Sequence, residues 1–265
     1  VPWLVRSHAV TVLPSVASLR TLRALPAEAA DRKAFVGFGD PYFSKEQEAA
    51  AAAERTTRVA MRGLRLRSRP RTEHVDSAQL AMLPRLPDTG DEVLGMASAL
   101  GADPAMSVFL GKAAAETAVK GMDLTAVKVV AFATHGLVPG DLDGLTQPAL
   151  ALTSPAVAGG DDDGLLTLGE ILGLRLNADW AVLSACNTGA GEGAGAEAVS
   201  GLGRAFFYAG TRALLVSNWP VETTSARALT TRLFAAQAVD AGLERAQALR
   251  RAMLALIDGP GPKDA

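Results

Sequence analysis

The chain has 265 residues, 49% of them hydrophobic, with 26 Lys plus Arg against 28 Asp plus Glu for a net charge of −2. This is apolar material enough for one large core, and no charge surplus marks a nucleic acid or a membrane surface as a partner. The longest apolar runs, such as Val127–Ala133 and Ala213–Val216, are far too short to span a bilayer, and Val1–Val16 carries Arg6 and His8 without the apolar stretch of a secretion signal.

In chain order, β-branched and apolar runs alternate with Ala- and Leu-rich amphipathic stretches, the pattern of an α/β domain with a mostly parallel sheet. Strands are expected at Ala34–Phe38, Ser107–Leu110, Lys128–Ala133, Ala181–Ala185 and Arg212–Ser217. The last three are continuous apolar runs, as strands covered on both faces should be. Helices are expected at Lys45–Arg62, Asp88–Leu100, Ala113–Gly121, Thr167–Leu172, Glu197–Tyr208, Glu222–Ala238 and Leu243–Leu256. Ser44 with Gln47 makes a capping box for the first of them. Two segments break the rhythm. Arg62–Arg71 holds five arginines and reads as a solvated helix end, and Pro139–Gly164, rich in Gly, Pro and Asp, reads as a long loop or hairpin excursion. Residues 1–265 are expected to form one domain. The chain begins without Met and is expected to be part of a longer one.

Cysteine usage narrows the chemistry. The single Cys excludes an intrachain disulfide and points to a reducing, cytoplasmic setting. With only His8, His74 and His135 beside it, a cysteine-rich zinc site is excluded too, and neither a metal nor a cofactor is expected.

That cysteine stands where it can react. In Val182-Leu183-Ser184-Ala185-Cys186-Asn187-Thr188-Gly189 an apolar strand ends in small residues and presents a Cys where a turn begins. Taken alone such a Cys is more often core filler. A second strand has the same design, Val129-Val130-Ala131-Phe132-Ala133-Thr134-His135-Gly136, ending in His-Gly. Catalytic groups collect at the carboxyl ends of parallel strands, and neighbouring strands lie about 4.8 Å apart. Two such ends therefore bring a thiol and an imidazole within reach: the imidazole takes the thiol proton and later protonates a leaving amine. The fifty-one-residue spacing suits one crossover between adjacent parallel strands. Gly136 lets a backbone N–H approach a bound carbonyl closely, and with the Cys186 amide it forms a candidate oxyanion hole.

These blocks resemble the CHAT family. Phe132-Ala133-Thr134-His135-Gly136, Asp163-Gly164-Leu165-Leu166-Thr167, Glu170-Ile171 and Leu183–Gly189 carry the likeness. So do Gly201-Leu202-Gly203-Arg204-Ala205-Phe206, Ala209-Gly210, Val216–Val221, and upstream Leu83-Pro84-Arg85-Leu86-Pro87 and Ala115–Lys120. The resemblance implies a three-layer α/β/α caspase-like fold and a cysteine endopeptidase with a dyad at His135 and Cys186. It also implies a substrate edge at Val216, Ser217, Asn218 and Trp219, with Trp219 as a pocket wall; ordinary packing is the competing reading for that Trp. A protein or peptide substrate follows, together with a TPR or other sensor region elsewhere in the chain or complex. Family members usually continue into an aromatic-rich terminal strand, whereas this chain ends Asp258-Gly259-Pro260-Gly261-Pro262-Lys263-Asp264-Ala265. The reading from another class is a catalytically silent CHAT-like interaction module.

Other signals carry less. The glycines from Gly189 to Gly195 miss the dinucleotide fingerprint at Ala194, and the next strand ends Ser217-Asn218 with no acid for a ribose. Residues 159–170 place Asp161, Asp163, Gly164 and Glu170 as in a calcium loop, but Gly159 stands at its first position and Pro148 and Pro155 replace an entering helix. Asp141, Asp143 and Glu222 are acidic candidates for the floor of a specificity pocket.

Overall fold

The computed structural model describes residues 3–13, 31–54, 77–184, 194–217, 223–240 and 242–259. Its strands are β1 (Lys33–Gly39), β2 (Val108–Leu110), β3 (Val127–Ala133), β4 (Gly136–Leu137), β5 (Ala149–Ala151), β6 (Leu165–Thr167), β7 (Trp180–Leu183) and β8 (Leu214–Val216). The helices are α1 (Lys45–Glu54), α2 (Asp88–Ala99), α3 (Pro104–Ser107), α4 (Glu116–Lys120), α5 (Pro155–Ala158), α6 (Leu168–Gly173), α7 (Ala194–Ala209), α8 (Thr223–Val239) and α9 (Arg245–Asp258).

The described strands make two sheets. The larger runs β2-β1-β3-β7-β8, and every pairing in it is parallel. Alternation along each strand builds a core on both faces. Val36, Phe38, Val130, Phe132, Ala181 and Leu183 face a layer that includes Val119 of α4, Ile171 of α6 and Leu202 and Phe206 of α7. Phe35, Val129, Ala131, Ala133, Trp180 and Val182 face Val93 and Met96 of α2, Leu233 and Phe234 of α8 and Ala248 and Ala252 of α9. The result is a three-layer α/β/α fold in which β3 and β7 are central. Stacked rings of Phe109, Phe38 and Phe132 tie the first layer across three strands, with centroids 5.2 and 5.3 Å apart.

Two glycines of β1 bring α2 down onto the sheet. A Cβ at Gly37 would stand 2.5 Å from Val93 Cγ1, and one at Gly39 would stand 2.9 Å from the Thr89 carbonyl oxygen. Without side chains there, the start of α2 lies directly over the strand ends.

The smaller sheet, β4-β5-β6, is antiparallel and is inserted between β3 and β7. Its strand β5 lies within the stretch Pro139–Gly164, read as a loop or hairpin excursion, and β4 and β6 flank that stretch. Leu137, Ala149, Ala151 and Leu165 of its strands join Phe43, Leu80 and Leu83 in a third apolar cluster.

Other expectations shift in detail. The Ala113–Gly121 helix is split, because the Ala114 carbonyl is drawn off to accept from Thr153 N at 2.9 Å, and α4 starts only at Glu116. At α1, Ser44 Oγ accepts from Gln47 N at 3.3 Å, but the Gln47 side chain reaches Phe43 N, one residue upstream of the expected partner. A complete capping box instead opens α6, between Thr167 and Glu170. The arginine-rich stretch 62–71 lies outside the described residues.

Candidate active site

The site begins with the register of β3 and β7. Val129 faces Trp180, Val130 Ala181, Ala131 Val182 and Phe132 Leu183, a constant offset that also separates His135 from Cys186. The main chain holds this register one step further, where Ser184 N donates to the Phe132 carbonyl at 2.9 Å. On the other side of β7, Leu183 faces Val216, the last residue of β8. Val216 and Ser217, expected on the substrate edge, are half-buried at that strand end. Cys186, Asn218 and Trp219 lie outside the described residues, as does Glu222.

His135 leaves β3 at its carboxyl end and is only 6% exposed. Its carbonyl accepts from Ala151 N of β5 at 2.9 Å, so the smaller sheet clamps its main chain. Its ring packs against Phe43, centroids 5.5 Å apart. Its Nε2 lies 2.7 Å from the carbonyl oxygen of Pro84. A carbonyl only accepts, so Nε2 carries the hydrogen and Nδ1 is the basic nitrogen of the neutral ring. Proline suits this position, since it has no N–H but keeps a carbonyl to offer.

Gly136 faces Leu150 across the antiparallel ladder, yet the bond beside this pair joins Ala151 N to the His135 carbonyl. In an antiparallel ladder that pattern marks a pair whose own N–H groups point away from each other. The Gly136 N–H is thus directed away from β5.

The Pro84 carbonyl is itself held. Arg85 forks onto Asp40 at the end of β1, with Nε to Oδ1 at 2.8 Å and Nη2 to Oδ2 at 2.7 Å, and lies 5.1 Å over the Tyr42 ring. Asp40 has a φ of +47°, in the left-handed region that Asp tolerates better than most side chains. The Thr89 hydroxyl accepts from Asp40 N at 2.8 Å. Glu92, fully buried on α2, accepts the Ser184 hydroxyl at 2.9 Å.

Pro84, Arg85, Asp40 and Glu92 were not singled out as site residues by sequence reasoning. The Leu-Pro-Arg-Leu-Pro run signals a family resemblance, but nothing local tells that one of its carbonyls meets a His fifty-one residues away.

Two of the acidic candidates for a pocket floor, Asp141 and Asp143, serve a turn. Asp141 Oδ2 accepts from Val138 N at 2.8 Å, and Asp143 exchanges two bonds with Gln79, at 2.7 and 2.9 Å. Burial pushes the Asp141 carboxyl up, against the Val138 N–H.

The calcium-like spacing also resolves otherwise. Asp163 caps its own turn through Leu165 N at 2.9 Å, and Glu170 is paired with the Lys120 ammonium, which also meets Glu116 and Asp162. Burial pushes the Glu116 carboxyl up to about 7, outweighing Lys120 beside it. Burial pushes Glu170 upward too, but hydrogen bonds from Lys120 and Thr167 outweigh it and hold Glu170 below the usual carboxylate range. Among the described residues, no group of His, Cys, Asp and Glu is arranged to hold a metal ion.

Comparison with known families decides the affiliation. The family model of the CHAT domain matches residues 2–264. The chain belongs to the CHAT family. A comparison with curated proteins found no match. CHAT domains are linked to caspase-like peptidases, and the three-layer parallel fold described above is consistent with theirs. In this CHAT domain the opposite, amino ends of the strands carry structural charge: Arg32 pairs with Asp179 at 3.0 Å, and Arg212 donates to Asn177 Oδ1 at 2.9 Å. No helix among the described residues is long and apolar enough to cross a membrane.

Proposed function

We propose that this CHAT domain is a cysteine endopeptidase acting on specific protein substrates, with Cys186 as nucleophile and His135 as its acid–base partner. The observation that carries this reading is the β3–β7 register, whose offset is the distance between the two residues along the chain. The orientation of His135 supports it as well. With Nε2–H engaged by Pro84, Nδ1 is the atom to receive the thiol proton.

The chemistry runs in two halves. Nδ1 takes the Cys186 proton, and the thiolate adds to the scissile carbonyl carbon, moving its π electrons onto oxygen. The Gly136 and Cys186 N–H groups stabilise that oxyanion. Collapse breaks the C–N bond while the imidazolium returns its proton to the departing amine. A water then adds to the thioester, giving its proton to Nδ1, and the carboxylic product leaves as the thiol re-forms. Val216, Ser217, Asn218 and Trp219 form one edge of the substrate cleft. A TPR or other sensor region supplies activation, and the setting is cytoplasmic.

Cleavage of a peptide library by the full-length protein tests the reading. Cys186→Ala abolishes cleavage while leaving the melting temperature little changed, and His135→Ala abolishes it too but lowers the melting temperature, because its buried ring packs on Phe43 and bonds to Pro84. Full cleavage by Cys186→Ala means another nucleophile. A domain that cleaves nothing and whose Cys186 reacts with electrophiles independently of His135 is a silent interaction module instead.

A further inference from the structure

One short segment holds the ends of three strands. The Pro84 carbonyl takes the His135 Nε2–H at 2.7 Å, the Thr89 hydroxyl takes Asp40 N–H at 2.8 Å, and Glu92 takes the Ser184 hydroxyl at 2.9 Å. Residues 84–92 thus touch the exits of β3, β1 and β7. The segment is stiffened internally, since the Thr89 hydroxyl donates to the Leu86 carbonyl at 2.7 Å and α2 begins at Asp88.

Glu92 is the least expected of these contacts. It is 0% exposed and Ser184 is 8% exposed. Burying a carboxyl group costs several kcal/mol unless hydrogen bonds repay it, and an apolar side chain would fill such a space without that cost. Packing alone does not ask for Glu here. What the carboxyl group gives is a directed acceptor for a hydroxyl two residues before Cys186. Ser184 is held from two sides, its main chain by Phe132 of β3 and its side chain by Glu92 of α2.

We infer that Glu92 is a positioning residue: through the Ser184 hydroxyl it ties the exit of β7 to the same rigid segment whose Pro84 carbonyl orients His135, and so sets the approach of thiol and imidazole. The inference rests on the proposed role of Cys186. It makes the spacing of the dyad a property of segment 84–92 as well as of strand register.

Cys186 is the one cysteine of these 265 residues, and its alkylation by iodoacetamide in the full-length protein is followed on the peptide that carries it, by mass spectrometry. The rate is measured against pH for wild type, His135→Ala, Ser184→Ala, Glu92→Ala and Glu92→Gln. Wild type titrates below the ordinary thiol value of about 8.5, and His135→Ala returns the midpoint towards it. Ser184→Ala and Glu92→Ala each cut the alkylation rate at pH 7 about 10- to 100-fold and move the midpoint in the same direction. Glu92→Gln, which keeps an acceptor oxygen for the Ser184 hydroxyl, restores most of the rate. Should Glu92→Ala not fold, Ser184→Ala, a loss of one hydroxyl, decides alone. A Ser184→Ala profile identical to wild type, with only the melting temperature lowered, overturns the inference and leaves the peptidase reading standing. A wild-type midpoint at the ordinary thiol value, unmoved by His135→Ala, sinks the peptidase reading and the inference with it.

Discussion

His135 Nε2 lies 2.7 Å from the carbonyl oxygen of Pro84, and this contact fixes which nitrogen of the ring is basic. The neutral ring is therefore the Nε2–H tautomer. Long-range ¹H–¹⁵N spectra of the histidine side chains check this directly. A signal pattern for His135 with the proton on Nδ1 would contradict the assignment, and with it the direction of proton transfer from Cys186.

Gly136→Val tests the oxyanion donor. The new side chain keeps the amide but pushes a bound carbonyl away from it. The loss of one preorganised donor typically costs a factor of ~100 to 1,000 in turnover. The fall is expected in kcat rather than KM. Unchanged turnover in a folded variant would place the oxyanion elsewhere.

Arg85→Met removes the fork that holds Asp40 and leaves that largely buried carboxylate without two of its donors. The expected cost in stability is ~2 kcal/mol, read from denaturant unfolding. Because Arg85 adjoins Pro84, turnover falls as well, even well below the unfolding midpoint. Arg85→Lys rescues only part of either loss, since an ammonium cannot make both bonds in the guanidinium geometry. Full rescue by Lys would show that charge alone matters there.

Glu116 gives the fold a pH dependence of defined sign. Its carboxyl titrates at about 7 in the folded protein against an ordinary 4.5. Between those values the folded state keeps a proton that the unfolded chain has released. This contribution is present below the ordinary value and is lost as pH rises through about 7. Glu170, held low, works in the opposite sense at acid pH. Glu116→Gln removes the first effect, so its melting temperature gains on wild type between about pH 5 and pH 8. A difference independent of pH would show that Glu116 is ionised throughout.

The parts of the fold that were legible in the sequence share a physical reason. β3 from Val129 onward, β7 and β8 were visible as uninterrupted apolar runs because strands covered on both faces need nothing polar. The ends of β3 and β7 were read as a candidate site because His135-Gly136 and Cys186-Asn187 break those runs at equivalent points of the sequence. The strands of the smaller sheet were not assigned: β4 has two residues and β5 and β6 three each, too short for any alternation to register, and the Gly, Pro and Asp between them read only as a long loop or hairpin excursion. Glu92 was hidden for a different reason. An acid in the first turns of a helix ordinarily faces water beside the helix N-terminus. Only the tertiary packing of α2 on Gly37 and Gly39 turns it inward against Ser184. The supports of His135 come from sequence-distant segments, and no local pattern encodes such contacts.

The insertion of β4-β5-β6 straight after His135 has a consequence for how the site can fail. The histidine ring packs on Phe43 of the small-sheet cluster, and its carbonyl belongs to the ladder with Ala151. Subglobal opening of the small sheet would release the His135 main chain while the five-stranded sheet stays intact. Activity and global unfolding then become separable quantities. The Ala151 amide, bonded to that carbonyl, is the place to see it: hydrogen exchange there reports how often the histidine is let go, well before heat or denaturant dissolves the rest.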